Sequence, residues 1–223
     1  MAQTRFILAS QSPRRRELLQ LLGYPFITMP ADADEDSVDT ADPALNVQET
    51  AVLKANIITQ KYQANPQVRE VLIAADTTVA FNGQMLNKPK DEAEAAHMLT
   101  VMCNKKHEVY TGYIIRDLTS GQELIGVSTA VVTMRPYSQQ EIIAYIATGD
   151  PMDKAGAYAI QHPQFNPVAK LDGCFLNVMG LPVCDLVKAL RLFNLHANYD
   201  DADLQVAHQN YACSTLAQFN RNV

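Results

Sequence analysis

Phe6-Ile7-Leu8-Ala9-Ser10-Gln11-Ser12-Pro13-Arg14-Arg15-Arg16-Glu17-Leu18-Leu19 reads as a strand that turns straight into a helix. Ser12 is placed to cap the helix, and Pro13 suits the first helical position, where a missing N–H costs nothing. The turn brings free backbone N–H groups and three arginines to the positive end of a helix dipole. Such a terminus attracts phosphate. The ordinary alternative is a well-capped surface helix with a solvated basic turn.

Outward from this turn, strand and helix signals alternate. Pro25 to Met29 is a short strand candidate, and the acidic stretch Asp32 to Asp42 is a loop. Asn46 and Glu49 resemble a capping pair for a helix to about Tyr62, with Val47, Ala51, Leu53, Ala55 and Ile58 as buried positions. Val71 to Ala75 is an apolar run that reads as a buried strand ending at Asp76. Asn82-Gly83 marks a tight hairpin between Val79-Ala80-Phe81 and Gln84-Met85-Leu86. A helix follows from Asp91 and Glu94 to about Met102. Glu108 to Arg116 and Gly126 to Met134 are β-branched and aromatic enough for long antiparallel strands. Ser138 and Glu141 form a capping box before a helix over Ile142 to Ala147, and Pro182 opens a last core helix through Phe193. The expectation is one α/β domain with a mixed sheet over residues 1–195. Residues 196–223 form a polar C-terminal extension, a peripheral helix or partly disordered, to which no chemistry is assigned.

Composition narrows the classes. Hydrophobic residues make up 48% and charged residues 19%, ordinary for a globular protein with one sizeable core. No long uncharged apolar run is present, and Arg5 and the arginines at 14–16 flank an apolar stretch too short for a signal peptide. The expectation is a cytoplasmic protein without a membrane partner. A net charge of −6 argues against broad nucleic-acid binding and for a small anion at the concentrated arginines. Cys103, Cys174, Cys184 and Cys213 are scattered without CxxC spacing, so they read as reduced thiols, with neither disulfides nor zinc expected. Nine glycines and no G-x-G-x-x-G after the first strand set aside a dinucleotide fold.

Four clusters could carry chemistry: Ser10 to Arg16; Asp34-Glu35; Asp76-Thr77-Thr78; and Asn87-Lys88-Pro89 with Asp153 to Gln161. Each has a plain reading. Asp76 could be a turn residue, Lys88 a solvated loop charge, and Asp34 and Glu35 part of a solvated acidic loop. Lys54, among buried helix positions, would normally snorkel to water. Together, however, they supply the arginine, lysines and carboxylates needed to hold a triphosphate and a divalent metal.

In order, the motifs are Leu8-Ala9-Ser10-x-Ser12-Pro13-Arg14-Arg15-x-Glu17-Leu18-Leu19, Asp34-Glu35, Lys54-Ala55, Ala75-Asp76-Thr77, Lys88-Pro89, His107-x-Val109-Tyr110-Thr111-Gly112, Asp153-Lys154-Ala155-Gly156-Ala157-Tyr158 and Gly180-Leu181-Pro182. This series, spread over residues 5–195, closely resembles the Maf family of nucleoside triphosphate pyrophosphatases. The resemblance implies an elongated mixed β-sheet with flanking helices in two lobes around a cleft, similar to the inosine triphosphate pyrophosphatases. It implies hydrolysis of a nucleoside triphosphate between the α- and β-phosphates, a Mg²⁺ or Mn²⁺ cofactor, and a homodimer. Carried over by position, Asp76 is the proton acceptor and Glu35 a metal ligand, with Asp76 shared between both tasks. Ser10, Ser12, Arg15, Lys54 and Lys88 face the phosphates. Arg14, Thr77 and Gln161 match the version of the motifs found in the dTTP/UTP-preferring group. An amide at Gln161 offers a donor and an acceptor to a pyrimidine edge. The alternatives are a sister enzyme for modified purine triphosphates such as 7-methyl-GTP, which typically carries tryptophan at position 14 and Asp-Gln at 76–77, and a non-catalytic nucleotide-sensing division regulator. The segment departs from the family pattern at Cys103-Asn104, at Ala159, in the polar run 162–170 and in its long tail.

Overall fold

The computed structural model describes residues 4–197 and 199–219. Its frame is a seven-stranded mixed sheet. The strands are β1 (Thr4–Leu8), β2 (Phe26–Thr28), β3 (Arg69–Phe81), β4 (Gln84–Leu86), β5 (Lys106–Asp117), β6 (Glu123–Met134) and β7 (Val168–Asp172). Their order is β2-β1-β3-β5-β6-β7, with β4 folded back on β3. β1 runs parallel to β2 and β3, and the β3–β5–β6–β7 run is antiparallel. The expected α/β class and mixed sheet are therefore present.

Helices cover both faces. Helix α2 (Pro43–Lys61) lies on one, where Ala51, Ala55 and Ile58 pack with Ile7, Ala9, Leu72, Ala74 and Ile114. The other face carries the main core, shared by α1 (Pro13–Gln20), α3 (Glu92–Met102), α4 (Gln139–Ile146), α5 (Phe175–Val178) and α6 (Val183–Arg191). Alternation along β3 explains the division: Leu72 and Ala74 point to α2, while Val71, Ile73 and Ala75 point to the main core. Two short helices, α7 (Asp201–Ala207) and α8 (Ser214–Phe219), complete the described chain. Among their buried residues, Leu204 and Leu216 join the main core.

Local signals hold well. The Ser12 hydroxyl accepts from Arg15 N at 3.4 Å with Pro13 opening α1, and Ser138 with Glu141 forms the expected capping box on α4. Several boundaries move, as where β6 starts at Glu123 and α4 at Gln139, and two of the shifts have a visible cause. Helix α2 begins a turn before Asn46, because Asp42 accepts from the N–H groups of Ala44 and Leu45 and Pro43 takes the first position. Asn46 instead donates its side-chain amide to the carbonyls of Val38 and Thr40, tying down the acidic loop. Nor does β3 end at Asp76. It runs on through Thr78 to Phe81, since β5 offers an unbroken partner from Asp117 to Glu108. β7 and α5 also form where the sequence shows no clear periodicity.

Candidate active site

Mid-strand placement gives Asp76 and Thr77 opposite faces of the sheet. Asp76 faces α2. Lys54 lies on that helix's buried stripe with Val47, Thr50, Ala51, Ala55 and Ile58, and is 6% exposed. A lysine so placed needs a partner for its charge. It has two, because its Nζ stands 2.7 Å from Asp76 Oδ1 and 2.9 Å from Glu35 Oε1. Glu35 comes from a 3₁₀ turn (Glu35–Ser37) in the acidic loop and is half exposed. The expected snorkelling of Lys54 does not occur. Asp34 stays exposed.

The approach of α2 depends on Gly112. This residue is paired with Asp76 across β3 and β5. A Cβ there would sit 2.3 Å from the Val47 carbonyl carbon, inside the helix backbone. The glycine therefore lets α2 settle close enough for Lys54 to reach Asp76.

Thr77 faces the other way, into a second network. Arg15 donates Nη2 to Thr77 Oγ1 at 3.1 Å and Nε to the Gly180 carbonyl at 2.8 Å. Thr77 Oγ1 lies 3.0 Å from Thr111 Oγ1, which donates in turn to the Asn177 carbonyl at 3.1 Å. Burial lowers the Arg15 pKa, and neighbouring Arg14 lowers it further, while Asp76 and Glu35 oppose the change. A guanidinium remains charged under that pull. At the head of α1, Ser12 N donates to Ser10 Oγ at 3.1 Å, so both serines shape the turn.

Arg14 reaches Asp153 Oδ2 at 3.4 Å, and Lys154 Nζ holds the same carboxylate at 2.6 Å. Burial pushes Asp153 up, but Lys154 and Arg14 outweigh it and hold its pKa below the usual value. Segment 150–157 is thereby tied to the start of α1. The motif residues His107 and Tyr158 meet beside it, with His107 Nε2 2.8 Å from the tyrosine hydroxyl. Lys88 is exposed in the loop after β4, and Gln161 is half-buried in a turn. Neither makes a hydrogen bond or ion pair among the described residues.

The structure therefore brings Ser10, Ser12, Arg15 and Thr77 into one network and Glu35, Lys54 and Asp76 into another. Arg14 sits at their edge, and Lys88 and Gln161 stand apart. The bracing groups Thr111, Asn177 and Gly180 carry no charge that singles them out. Only the motifs around Thr111 and Gly180 pointed toward them. Asp76 and Glu35 are hard oxygen donors converging on one cationic point, and Asp76 Oδ2 and Glu35 Oε2 take no hydrogen bond among the described residues. That donor set fits Mg²⁺ or Mn²⁺.

Among the described residues, no helix is long and apolar enough to cross a membrane. A family model described as Maf-like protein matches residues 5–193. The dTTP/UTP pyrophosphatase of Citrifermentans bemidjiense is 38% identical over 198 residues, covering 89% of this chain and 100% of the relative. The dTTP/UTP pyrophosphatase of Bacillus velezensis is 42% identical over 193 residues, covering 86% and 98%. The solved structure of the Staphylococcus aureus Ham1 protein matches at 12% identity over 59% of this chain and 72% of that one, with a TM-score of 0.43. That likeness is too slight to argue from.

Proposed function

The chain belongs to the Maf family and is a nucleoside triphosphate pyrophosphatase, and from that premise we propose that it hydrolyses dTTP and UTP between the α- and β-phosphates. The products are the nucleoside monophosphate and pyrophosphate. The observation that carries this reading is Lys54, a buried ammonium between Asp76 and Glu35 on the sheet from whose other face Arg15 is held. Two carboxylates and two cations, next to a helix N-terminus, suit a metal-bound triphosphate better than any neutral ligand.

In this mechanism Asp76 takes the proton from the water that attacks the α-phosphorus. Lys54 orients the carboxylate through its 2.7 Å contact. Arg15, Lys88 and the N–H groups that open α1 bind the β- and γ-phosphates and stabilise charge on the departing pyrophosphate. Ser10 and Ser12 keep that turn open to an anion. Thr77 fixes the Arg15 guanidinium in place, and Arg14 with Gln161 reads the base. Glu35 and Asp76 would hold a divalent cation, which when bound withdraws charge from the phosphate oxygens.

The test is pyrophosphate release from UTP, dTTP, CTP, GTP, ITP and 7-methyl-GTP with Mg²⁺ or Mn²⁺. Selective release from UTP and dTTP, with monophosphate as co-product, is the expected result. Preference for 7-methyl-GTP would overturn the roles of Arg14, Thr77 and Gln161, and no release at all would overturn the catalytic reading of Asp76.

A further inference from the structure

Three of the four cysteines do not stay scattered. Cys174 precedes α5, Cys184 lies in the first turn of α6, and Cys213 precedes α8. With His208, at the end of α7, they converge on one point. One ligand atom from each of the four lies within 4.8 Å of all the others. Cys174 Sγ and Cys184 Sγ are 3.5 and 3.6 Å from His208 Nε2, and Cys184 Sγ is 3.9 Å from Cys213 Sγ. All four residues are buried, none more than 7% exposed.

These lengths have a simple meaning. Zinc with Zn–S bonds of about 2.3 Å and Zn–N bonds of about 2.0–2.1 Å sets tetrahedral edges of about 3.8 Å for S···S and about 3.6 Å for S···N. The three separations match those edges. A disulfide needs about 2.05 Å between sulfurs, and three thiols always leave one without a mate. The imidazole is also set for coordination. His208 Nδ1 lies 2.6 Å from the Leu204 carbonyl, so it is the nitrogen that carries the proton and Nε2 presents its lone pair to the thiols. A backbone carbonyl behind a histidine ligand is the usual outer support of a zinc site. Phe175 stacks on Tyr211 with centroids 5.1 Å apart, docking the tail from one side of the cluster.

We propose that Cys174, Cys184, His208 and Cys213 bind one structural zinc ion that staples the C-terminal extension to the catalytic domain. Zn²⁺ displaces three thiol protons to solvent and takes three thiolates and one neutral imidazole. This closes the tetrahedron with no position left for water or substrate. The site joins two parts of the chain, because His208 and Cys213 lie beyond residue 193, where the family match ends. It also bears on the active site. Cys174 and Cys184 bracket the stretch whose Asn177 and Gly180 carbonyls hold Thr111 and Arg15. Sequence spacing hid the cluster, since gaps of nine, twenty-three and four residues match no familiar zinc pattern.

The experiment is metal analysis of the full chain, purified without added metal and passed through EDTA and a desalting column. We expect about one zinc per chain to survive this treatment, which strips hydrated magnesium or manganese. Cys213→Ser and His208→Ala should each lose the retained zinc several-fold. Protein produced in cobalt medium should show intense near-ultraviolet thiolate-to-cobalt absorption with the visible bands of a tetrahedral ion. Carboxylates cannot supply the first of these signals, so the catalytic site cannot imitate it. The cobalt spectrum needs no substitution and decides the matter even if both variants fail to fold. Zinc-free wild type that takes up neither ion, retained zinc that survives both substitutions, iron in place of zinc, or a Cys184–Cys213 disulfide would each overturn the proposal.

Discussion

The carboxylate–lysine centre and the thiol–imidazole cluster lie on opposite sides of the sheet and solve opposite problems. Glu35, Lys54 and Asp76 are drawn from a loop, a helix and a strand, and Glu35 remains half exposed. Cys174, Cys184, His208 and Cys213 are sealed, and their atoms face one another rather than solvent. Oxygen donors in an open site suit a hydrated cation that must meet phosphate. Sulfur donors in a closed site suit a cation that never leaves. On the two readings proposed above, a single small domain separates catalysis from stapling by ligand chemistry and access alone.

That separation makes its largest demand on Asp76. Asp76→Asn should reduce kcat by about 10³-fold while KM for UTP changes little and retained zinc does not change, since the amide keeps the shape and loses the base. Steady-state kinetics with metal analysis on the same preparation checks both halves. Normal turnover would remove Asp76 as proton acceptor, and loss of zinc would show that the two centres are not separate.

Two buried histidines extend the contrast. His208 has its Nδ1 committed to a carbonyl, whereas His107 bonds the Tyr158 hydroxyl through Nε2 and its Nδ1 has no hydrogen-bond partner among the described residues. Burial depresses the His107 pKa from 6.5 to about 4. The unfolded chain then binds the proton first, so this group leaves stability intact above pH 6.5 and erodes it as pH falls toward 4. The loss amounts to about 3 kcal/mol across that window. Urea midpoints measured from pH 7 to 4 should fall less steeply in His107→Gln than in the parent. An unchanged slope would assign the acid sensitivity to other groups.

A smaller effect is expected at Gly112. Gly112→Ala must push α2 outward, costing about 2 kcal/mol of stability and lowering kcat/KM because Lys54 rides on that helix. The cobalt–thiolate spectrum should be unaffected, because the cysteines belong to the core on the other face. Equal damage to both signals would mean that the faces are mechanically coupled. The smallest effect concerns selectivity. Gln161→Glu should erode the preference for UTP and dTTP in kcat/KM by about 10-fold, the value of one exchanged hydrogen-bond donor. Unchanged selectivity would rule out Gln161 as a reader of the base.

Much of this was legible before any fold was known, for a physical reason visible in particular residues. Ser12 with Pro13 and Ser138 with Glu141 act within one helical turn, so neighbours in the chain suffice to specify them. The run Val71 to Ala75 reads as a strand because continuous burial needs no distant information. The motifs around Asp76, Lys54 and Arg15 likewise picked out residues that the fold gathers into two polar networks. Local reading misplaced the α2 cap, since Asn46 and Glu49 mimic a start that Asp42 and Pro43 make one turn earlier. It also ended β3 too soon, because the strand's length depends on its partner β5.

The amino-acid order, then, was enough for the α/β pattern, the helix caps and the inventory of charges, all set by interactions spanning a few residues. Folding alone settled that Asp76 and Thr77 serve opposite faces, that Lys54 is buried between two carboxylates, and that residues 174, 184, 208 and 213 meet. Those facts rest on contacts between segments tens of residues apart. Burial there forces polar atoms to find partners, and no spacing rule along the chain records which partners they find.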